Sequence, residues 1–171
     1  LSENFFGGFP IKWLIEGGAT SFESLYVQQY YNHNYFRDDL SGMVNETVAS
    51  EPELYENYES SAIDGNYSSS VFMVLVLVKE LQNLGHTEEA AFRLVLRDFW
   101  TANPSESNWQ QTFESVFGMS VSDYYQVLST YDVSYEEVLP SSTLEIQEIF
   151  SEFRKRLKLF RAWCFMDSQI I

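Results

Sequence analysis

The sequence predicts an all-α fold, and three observations lead to that prediction. Apolar side chains recur at nearly helical spacing over residues 13–31. Residues that suit helix ends recur along the chain, such as Thr87 as an N-cap and Gly118 as a stop. The longest apolar run, residues 71–78, continues its apolar pattern as far as Leu84, which favours a buried helix over a strand.

The first half of the chain is predicted to hold two long helices. Residues 5–10 form a loop, and a helix follows over residues 13–31. Residues 32–65 are polar, acidic and rich in tyrosine, with a short helix expected over residues 52–58. The second long helix covers residues 67–84 and ends at Gly85. The β-branched content of its centre also suits a strand, but its length favours a helix.

The second half is predicted to be a series of shorter helices. Thr87 caps a helix over residues 88–100, and a capping box at residues 107–110 begins a helix that ends at Gly118. Ser120 caps a further helix over residues 121–130, and the last helix covers residues 144–163. We therefore expect one helical unit in residues 1–140 and a basic, amphipathic tail helix in residues 141–171.

Composition excludes several functional classes. The net charge is −15 and the isoelectric point is about 4.3, which argues against nucleic-acid binding, because phosphate contacts need a basic surface. Half of the ten basic residues lie within residues 154–161. One cysteine, Cys164, excludes an internal disulfide framework. The longest apolar run has eight residues, whereas a membrane-spanning helix needs about 20.

Two sequence features bear on where the protein acts. Sequons of the N-x-S/T type begin at Asn45 and Asn66, and they favour an extracellular or cell-envelope location. The chain begins at Leu1 without a signal-peptide pattern. We therefore expect a fragment or a processed chain.

A glutamate followed by two glycines, in the stretch WLIEGGATSFES, raises the question of function. Each glycine within a helix costs about 1 kcal/mol relative to alanine. The stretch resembles the W-L-x-E-G-x-A-x-x-x-E segment of the gluzincin zinc metallopeptidases, which include the aminopeptidase-N-like enzymes. The resemblance implies that Glu16 is a zinc ligand and that Glu23 forms a second-shell hydrogen bond to a zinc-bound histidine. The glycines then allow a backbone or a substrate to approach closely.

Two further stretches are similar to that family. GNYSSSVFMVLVLVKELQNLG resembles the helix whose first turn carries a tyrosine that donates a hydrogen bond to the oxyanion, and Tyr67 occupies that place. The lysine and glycine of the family pattern are replaced here by Ser69 and Ser70. NWQQTFESVFGMSVSDYYQVL resembles the closing pair of helices. In all, the resemblance covers about residues 9–131.

The family motif H-E-x-x-H, which supplies two zinc ligands and the general base, does not occur in this sequence. The spacing in the aminopeptidase branch places its second histidine just before Leu1. The resemblance therefore implies the C-terminal part of a zinc-dependent peptidase acting on peptide or protein substrates, inactive without the N-terminal part of the same domain. The rival hypothesis is a non-catalytic helical scaffold or protein-interaction module. A third is that the basic tail binds an anionic membrane or an acidic partner.

Each candidate residue also has an ordinary structural explanation. Glu16 suits the first turn of a helix, where the helix dipole stabilises a carboxylate. Glu23 suits a solvated helix face, and Tyr67 is one of 11 tyrosines. His33 and His86 are isolated in the sequence and are expected in surface loops.

Overall fold

The computed structural model describes residues 9–59 and 65–150, and this part of the chain contains helices and no strand. The all-α prediction is therefore confirmed. Its α-helices are α1 (Lys12–Tyr31), α2 (Thr47–Ser50), α3 (Asn66–Asn83), α4 (Glu88–Arg93), α5 (Phe99–Thr101), α6 (Trp109–Phe117), α7 (Val121–Leu128) and α8 (Ile146–Ile149). Shorter helical turns are the 3₁₀ turns Ser41–Met43 and Pro52–Tyr55 and the π turns Phe36–Leu40 and Leu94–Asp98.

Most predicted helix ends are confirmed. The side chain of Thr87 accepts a hydrogen bond from the backbone N–H of Ala90, at 3.3 Å, and so caps α4. Ser120 caps α7 by accepting from the N–H of Asp123, at 3.0 Å. Gly118 ends α6 with a φ of 72°, a left-handed conformation that costs glycine little. The signals in the sequence thus act locally, as expected of capping residues.

The predicted capping box at residues 107–110 is wrong. Helix α6 begins at Trp109, and no side chain caps its first turn. The Oδ1 atom of Asn108 instead accepts from the backbone N–H of Ser105, at 2.6 Å, and the hydroxyl of Ser107 lies 3.2 Å from that of Ser105. The turn after Pro104 therefore engages the hydroxyl of Ser107, which a capping box would need at the helix start.

Other predicted elements are confirmed with small differences. The short helix of residues 52–58 is a 3₁₀ turn, and the helix of residues 88–100 contains a π turn at Leu94–Asp98. Of the last predicted helix, residues 144–163, the described part contains Ile146–Ile149, and residues 151–163 lie outside the described residues. The predicted loop of residues 5–10 also lies mostly outside them.

Helix α3 is the centre of the core. Every residue from Ser68 to Val78 is buried, so the helix is covered on all sides by other elements. Its buried serines have partners: the Ser69 hydroxyl accepts from the N–H of Asn45, at 2.9 Å, and the Ser70 hydroxyl lies 2.9 Å from that of Tyr58. The central position explains the unbroken apolar run in the sequence.

Helix α1 packs directly against α3. Its buried face is rich in small residues, including Gly17, Ser21 and Ser24. A Cβ atom at Gly17 would lie 2.3 Å from the carbonyl oxygen of Ser70, a distance that no methyl group tolerates. Glycine at this position therefore lets the two helix backbones meet, which accounts for the cost of placing it within a helix.

An aromatic layer joins the start of α1 to α7. The ring of Trp13 stacks on Tyr124 with centroids 5.4 Å apart, and Phe113 of α6 packs edge-on against it. The indole N–H of Trp13 donates to the hydroxyl of Tyr125, at 3.1 Å, and that hydroxyl donates to Glu56, at 2.8 Å. These contacts fix the end of α1 that carries Glu16.

Because several tyrosines are buried, we expect the protein to lose stability at alkaline pH. Burial raises the pKa of Tyr124, Tyr125 and Tyr135 above the ordinary value, which is about 10. As the pH rises past that value, the unfolded chain releases these protons before the folded chain does. The free energy of unfolding therefore falls with increasing pH above about 10. We expect the 295 nm tyrosinate absorbance of these residues to rise together with loss of helical circular dichroism. Titration of all tyrosines while the helix signal persists would contradict this expectation.

Candidate functional site

The two candidate carboxylates lie on α1, away from its buried face. Glu16 is half-buried and Glu23 is exposed, and neither forms a hydrogen bond or an ion pair with the described residues. They are seven residues apart, so their side chains leave the helix in nearly the same direction. As far as residues 9–59 and 65–150 are concerned, both carboxylates are therefore open to an external partner.

The candidate tyrosine lies in the first turn of α3. Tyr67 is half-buried, and its hydroxyl makes no hydrogen bond within the described part of the chain. Its neighbours in the turn differ in this respect, since Ser69 and Ser70 are buried and bonded. Unlike the hydroxyls of Ser69 and Ser70, the hydroxyl of Tyr67 therefore remains available to a ligand, as far as the described residues are concerned.

The packing of α1 on α3 brings two of the three candidates into one region. Gly17, next to Glu16, lies against the backbone of Ser70, and Tyr67 precedes Ser70 by three residues, or about one turn. In the backbone, Glu16 and Tyr67 each lie within about one turn of the Gly17–Ser70 contact. Glu23 lies about two turns further along α1 and is not part of that crossing.

The described residues do not form a zinc site by themselves. Within residues 9–59 and 65–150, no three or more His, Cys, Asp or Glu side chains are grouped so that they could hold a metal ion. Catalytic zinc takes three protein ligands, and Glu16 supplies one carboxylate. Both histidines are exposed, as expected: His33 contacts Asp38 and Asp39, and His86 lies in the turn after α3.

A large polar groove lies elsewhere on the surface, and it was not predicted from the sequence. It has a volume of about 830 Å³ and lies between the Pro52–Tyr55 turn and helices α6 and α7. Its walls carry Glu53, Glu56 and Glu114 together with serine and glutamine side chains, and no basic residue. None of Glu16, Glu23 and Tyr67 lines it. Its walls come from residues 49–56 and from residues 110–129, which are distant in the sequence, so no local motif could have indicated it.

One wall of the groove is held in place by the hydrogen-bond chain from Trp13. Tyr125 lines the groove and donates to Glu56, and burial, followed by the nearby charge of Glu56, raises the pKa of the Tyr125 hydroxyl. The phenol is therefore neutral at physiological pH and fixes the orientation of this carboxylate. The groove can accept hydrogen bonds from amide or cationic groups, and its volume is in the usual range for ligand sites.

Comparison with known proteins gives no match, since no family model, curated protein or solved structure is significantly similar to this chain. The resemblance to the gluzincins thus rests on the sequence motifs quoted above. In the described residues, no helix is both long enough and apolar enough to cross a membrane.

Proposed function

We propose that this chain is the helical, C-terminal part of a gluzincin-type zinc metallopeptidase. The observation that supports this function best is the close approach of α1 and α3 at Gly17, because Glu16 and Tyr67 each lie within about one turn of that contact along their helices. Both side chains lack partners within the described residues. In the proposed zinc-dependent hydrolysis, a carboxylate holds the metal and a hydroxyl group donates a hydrogen bond to the oxyanion.

Each residue has a role in this proposal. Glu16 supplies one anionic zinc ligand, and the two histidines and the general base come from an H-E-x-x-H segment encoded before Leu1. When bound, zinc supplies Lewis acidity and an activated water molecule. Tyr67 donates a hydrogen bond to the oxyanion that forms on the substrate carbonyl. Glu23 orients a histidine ligand by accepting its ring N–H.

Zinc content tests this proposal in the longer protein that includes the upstream segment. We expect one zinc per chain by elemental analysis and hydrolysis of peptides. Glu16→Gln should markedly reduce the bound zinc, because one anionic ligand of three is lost. Glu114→Gln, on helix α6, is the matched control and should leave the zinc content unchanged. Equal zinc content in the two variants would overturn the assignment of Glu16.

The alternative function is a non-catalytic helical module that binds a protein. The observation that favours it is the polar groove, because it is built without Glu16, Glu23 or Tyr67. The same experiment distinguishes the two functions. If the longer protein carries no zinc, and substitution of the groove carboxylates changes partner binding, the chain is the non-catalytic module.

A further inference from the structure

The walls of the polar groove carry negative charge that no cation of the described residues neutralises. Its three carboxylates, Glu53, Glu56 and Glu114, take part in none of the ion pairs within the described part of the chain. Both wall segments also lie in long stretches of sequence, residues 38–78 and 98–150, that contain no lysine, arginine or histidine. A cleft lined by one sign of charge attracts ligands of the opposite sign. The groove therefore favours a cationic ligand.

One of these carboxylates is held in a fixed orientation. The hydroxyl of Tyr125 donates to the Oε1 atom of Glu56, at 2.8 Å, and accepts from the indole N–H of Trp13, at 3.1 Å. Burial raises the pKa of this hydroxyl, and the charges of Glu56 and Glu53 raise it further, so both glutamates lie close to Tyr125. The other carboxylate oxygen of Glu56 makes no hydrogen bond within the described residues. A carboxylate fixed in advance loses little conformational freedom when it binds a cation.

The arrangement of the carboxylates suits an extended ligand and does not suit a metal ion. Within the described residues, no three acidic, histidine or cysteine side chains are grouped so that they could hold a metal. Glu114 belongs to α6, whereas Glu53 and Glu56 come from the other wall segment. The volume of about 830 Å³ is in the upper part of the range for ligand sites. A ligand with two or more cationic groups spaced along its length fits this arrangement.

The neutral side chains of the groove favour a peptide. Gln110, Gln111 and Gln126 line it, and their side-chain amides make no hydrogen bond within the described residues. Each such amide offers donors and an acceptor, which match the carbonyl and N–H groups of a peptide backbone. The methylene chain of a polyamine has no groups that bond to them. The groove is thus equipped for peptide groups as well as for positive charge.

We propose that the polar groove binds an extended, basic segment of a partner protein. Lysine or arginine side chains of that segment lie against Glu53, Glu56 and Glu114, and its backbone bonds to the glutamine amides. The inference rests on the groove that favours the alternative function, and it names the chemistry of the partner. It requires neither zinc nor Glu16.

Fluorescence anisotropy of a labelled peptide tests this proposal on the full chain. The probe is a hexapeptide of alternating lysine and serine with capped ends. We expect saturable binding that weakens with added salt, and no binding of the same peptide with glutamine in place of lysine. Glu56→Gln should raise the Kd about ten-fold, because a hydrogen bond to a charged group is lost. Glutamine keeps an oxygen that accepts from Tyr125, so unfolding in urea should be unchanged.

Glu145→Gln is the matched control. It removes the same unit of charge at an exposed site outside the groove, where the side chain makes no capping hydrogen bond. This variant should bind the lysine peptide as the parent protein does. An equal rise in Kd for the two variants would show that the acidic chain attracts the peptide without using the groove, and would overturn the proposal. Absence of binding by the parent protein would also overturn it.

Other occupants of the groove give different results. Spermidine carries three positive charges, as the hexapeptide does, and should compete about ten-fold less well because it lacks peptide groups. Equal competition would make a polyamine the ligand and overturn the proposal. So would peptide binding that appears only after the five basic residues within residues 154–161 are replaced by glutamine, since the chain itself then competes for the groove. Zinc content is measured separately, so this proposal and the peptidase proposal can fail independently.

Discussion

Replacing Gly17 by alanine is expected to lower the free energy of unfolding by about 1–3 kcal/mol, the usual range for overpacking a core contact. The added Cβ would lie 2.3 Å from the carbonyl oxygen of Ser70 and 2.7 Å from its carbonyl carbon. Both are backbone atoms within a buried helix, so no side chain can rotate to make room. The two helices must move apart instead, which opens the core between them. The loss outweighs the gain of about 1 kcal/mol that alanine brings to a helix.

Gly18 is the matched control for this substitution. A Cβ at Gly18 would lie 3.8 Å from the nearest atom, a methyl carbon of Leu96, which is ordinary contact. Gly18→Ala should therefore raise the free energy of unfolding, by up to about 1 kcal/mol, through helix propensity alone. Urea denaturation followed by circular dichroism measures both variants. Equal effects at the two positions would show that α1 and α3 do not meet at Gly17.

Replacing Tyr67 by phenylalanine is expected to lower kcat about 10²–10³-fold in the longer, zinc-containing protein, the cost of losing one oxyanion donor. Tyr67 is half-buried in the first turn of α3 and has no partner in the described residues, so removal of its hydroxyl breaks no internal hydrogen bond. Stability and zinc content should therefore stay unchanged. The effect should fall on kcat more than on KM, because the hydrogen bond forms in the transition state.

Tyr31→Phe provides the control for loss of a tyrosine hydroxyl. Tyr31 ends α1 and is 70% exposed, so this variant should match the parent protein in turnover and stability. If Tyr67→Phe also matches the parent in kcat, Tyr67 is an ordinary tyrosine of the helix start. If Tyr67→Phe loses both zinc and activity, the substitution has instead disturbed the zinc site.

The helices could be predicted from the sequence because their signals are local. Thr87 and Ser120 bond to backbone groups within three residues, and the length of the apolar run in α3 distinguishes a buried helix from a strand. A close approach at Gly17 was also predictable, because the cost of a glycine within a helix implies a reason to leave out a side chain there. The identity of the neighbour, the backbone of Ser70, was not predictable in this way.

The remaining features depend on residues that are distant in sequence. The polar groove takes its walls from the Pro52–Tyr55 turn, α6 and α7, and its carboxylate Glu56 is oriented by Tyr125. The aromatic layer on Trp13 likewise joins residues more than a hundred positions apart. The capping box failed because the hydroxyl of Ser107 contacts that of Ser105 and the helix begins at Trp109. Single-sequence patterns contain no information on such competition.

The sequence encoded upstream of Leu1 is the most direct test of the proposed peptidase. The function proposed for Glu16 requires two histidine ligands, and the chain contains only His33 and His86, both exposed and outside any H-E-x-x-H motif. Reading the coding sequence should reveal H-E-x-x-H within a few tens of residues before Leu1. An upstream sequence without this histidine pair would contradict the zinc site, and the non-catalytic helical module would then be the function to pursue.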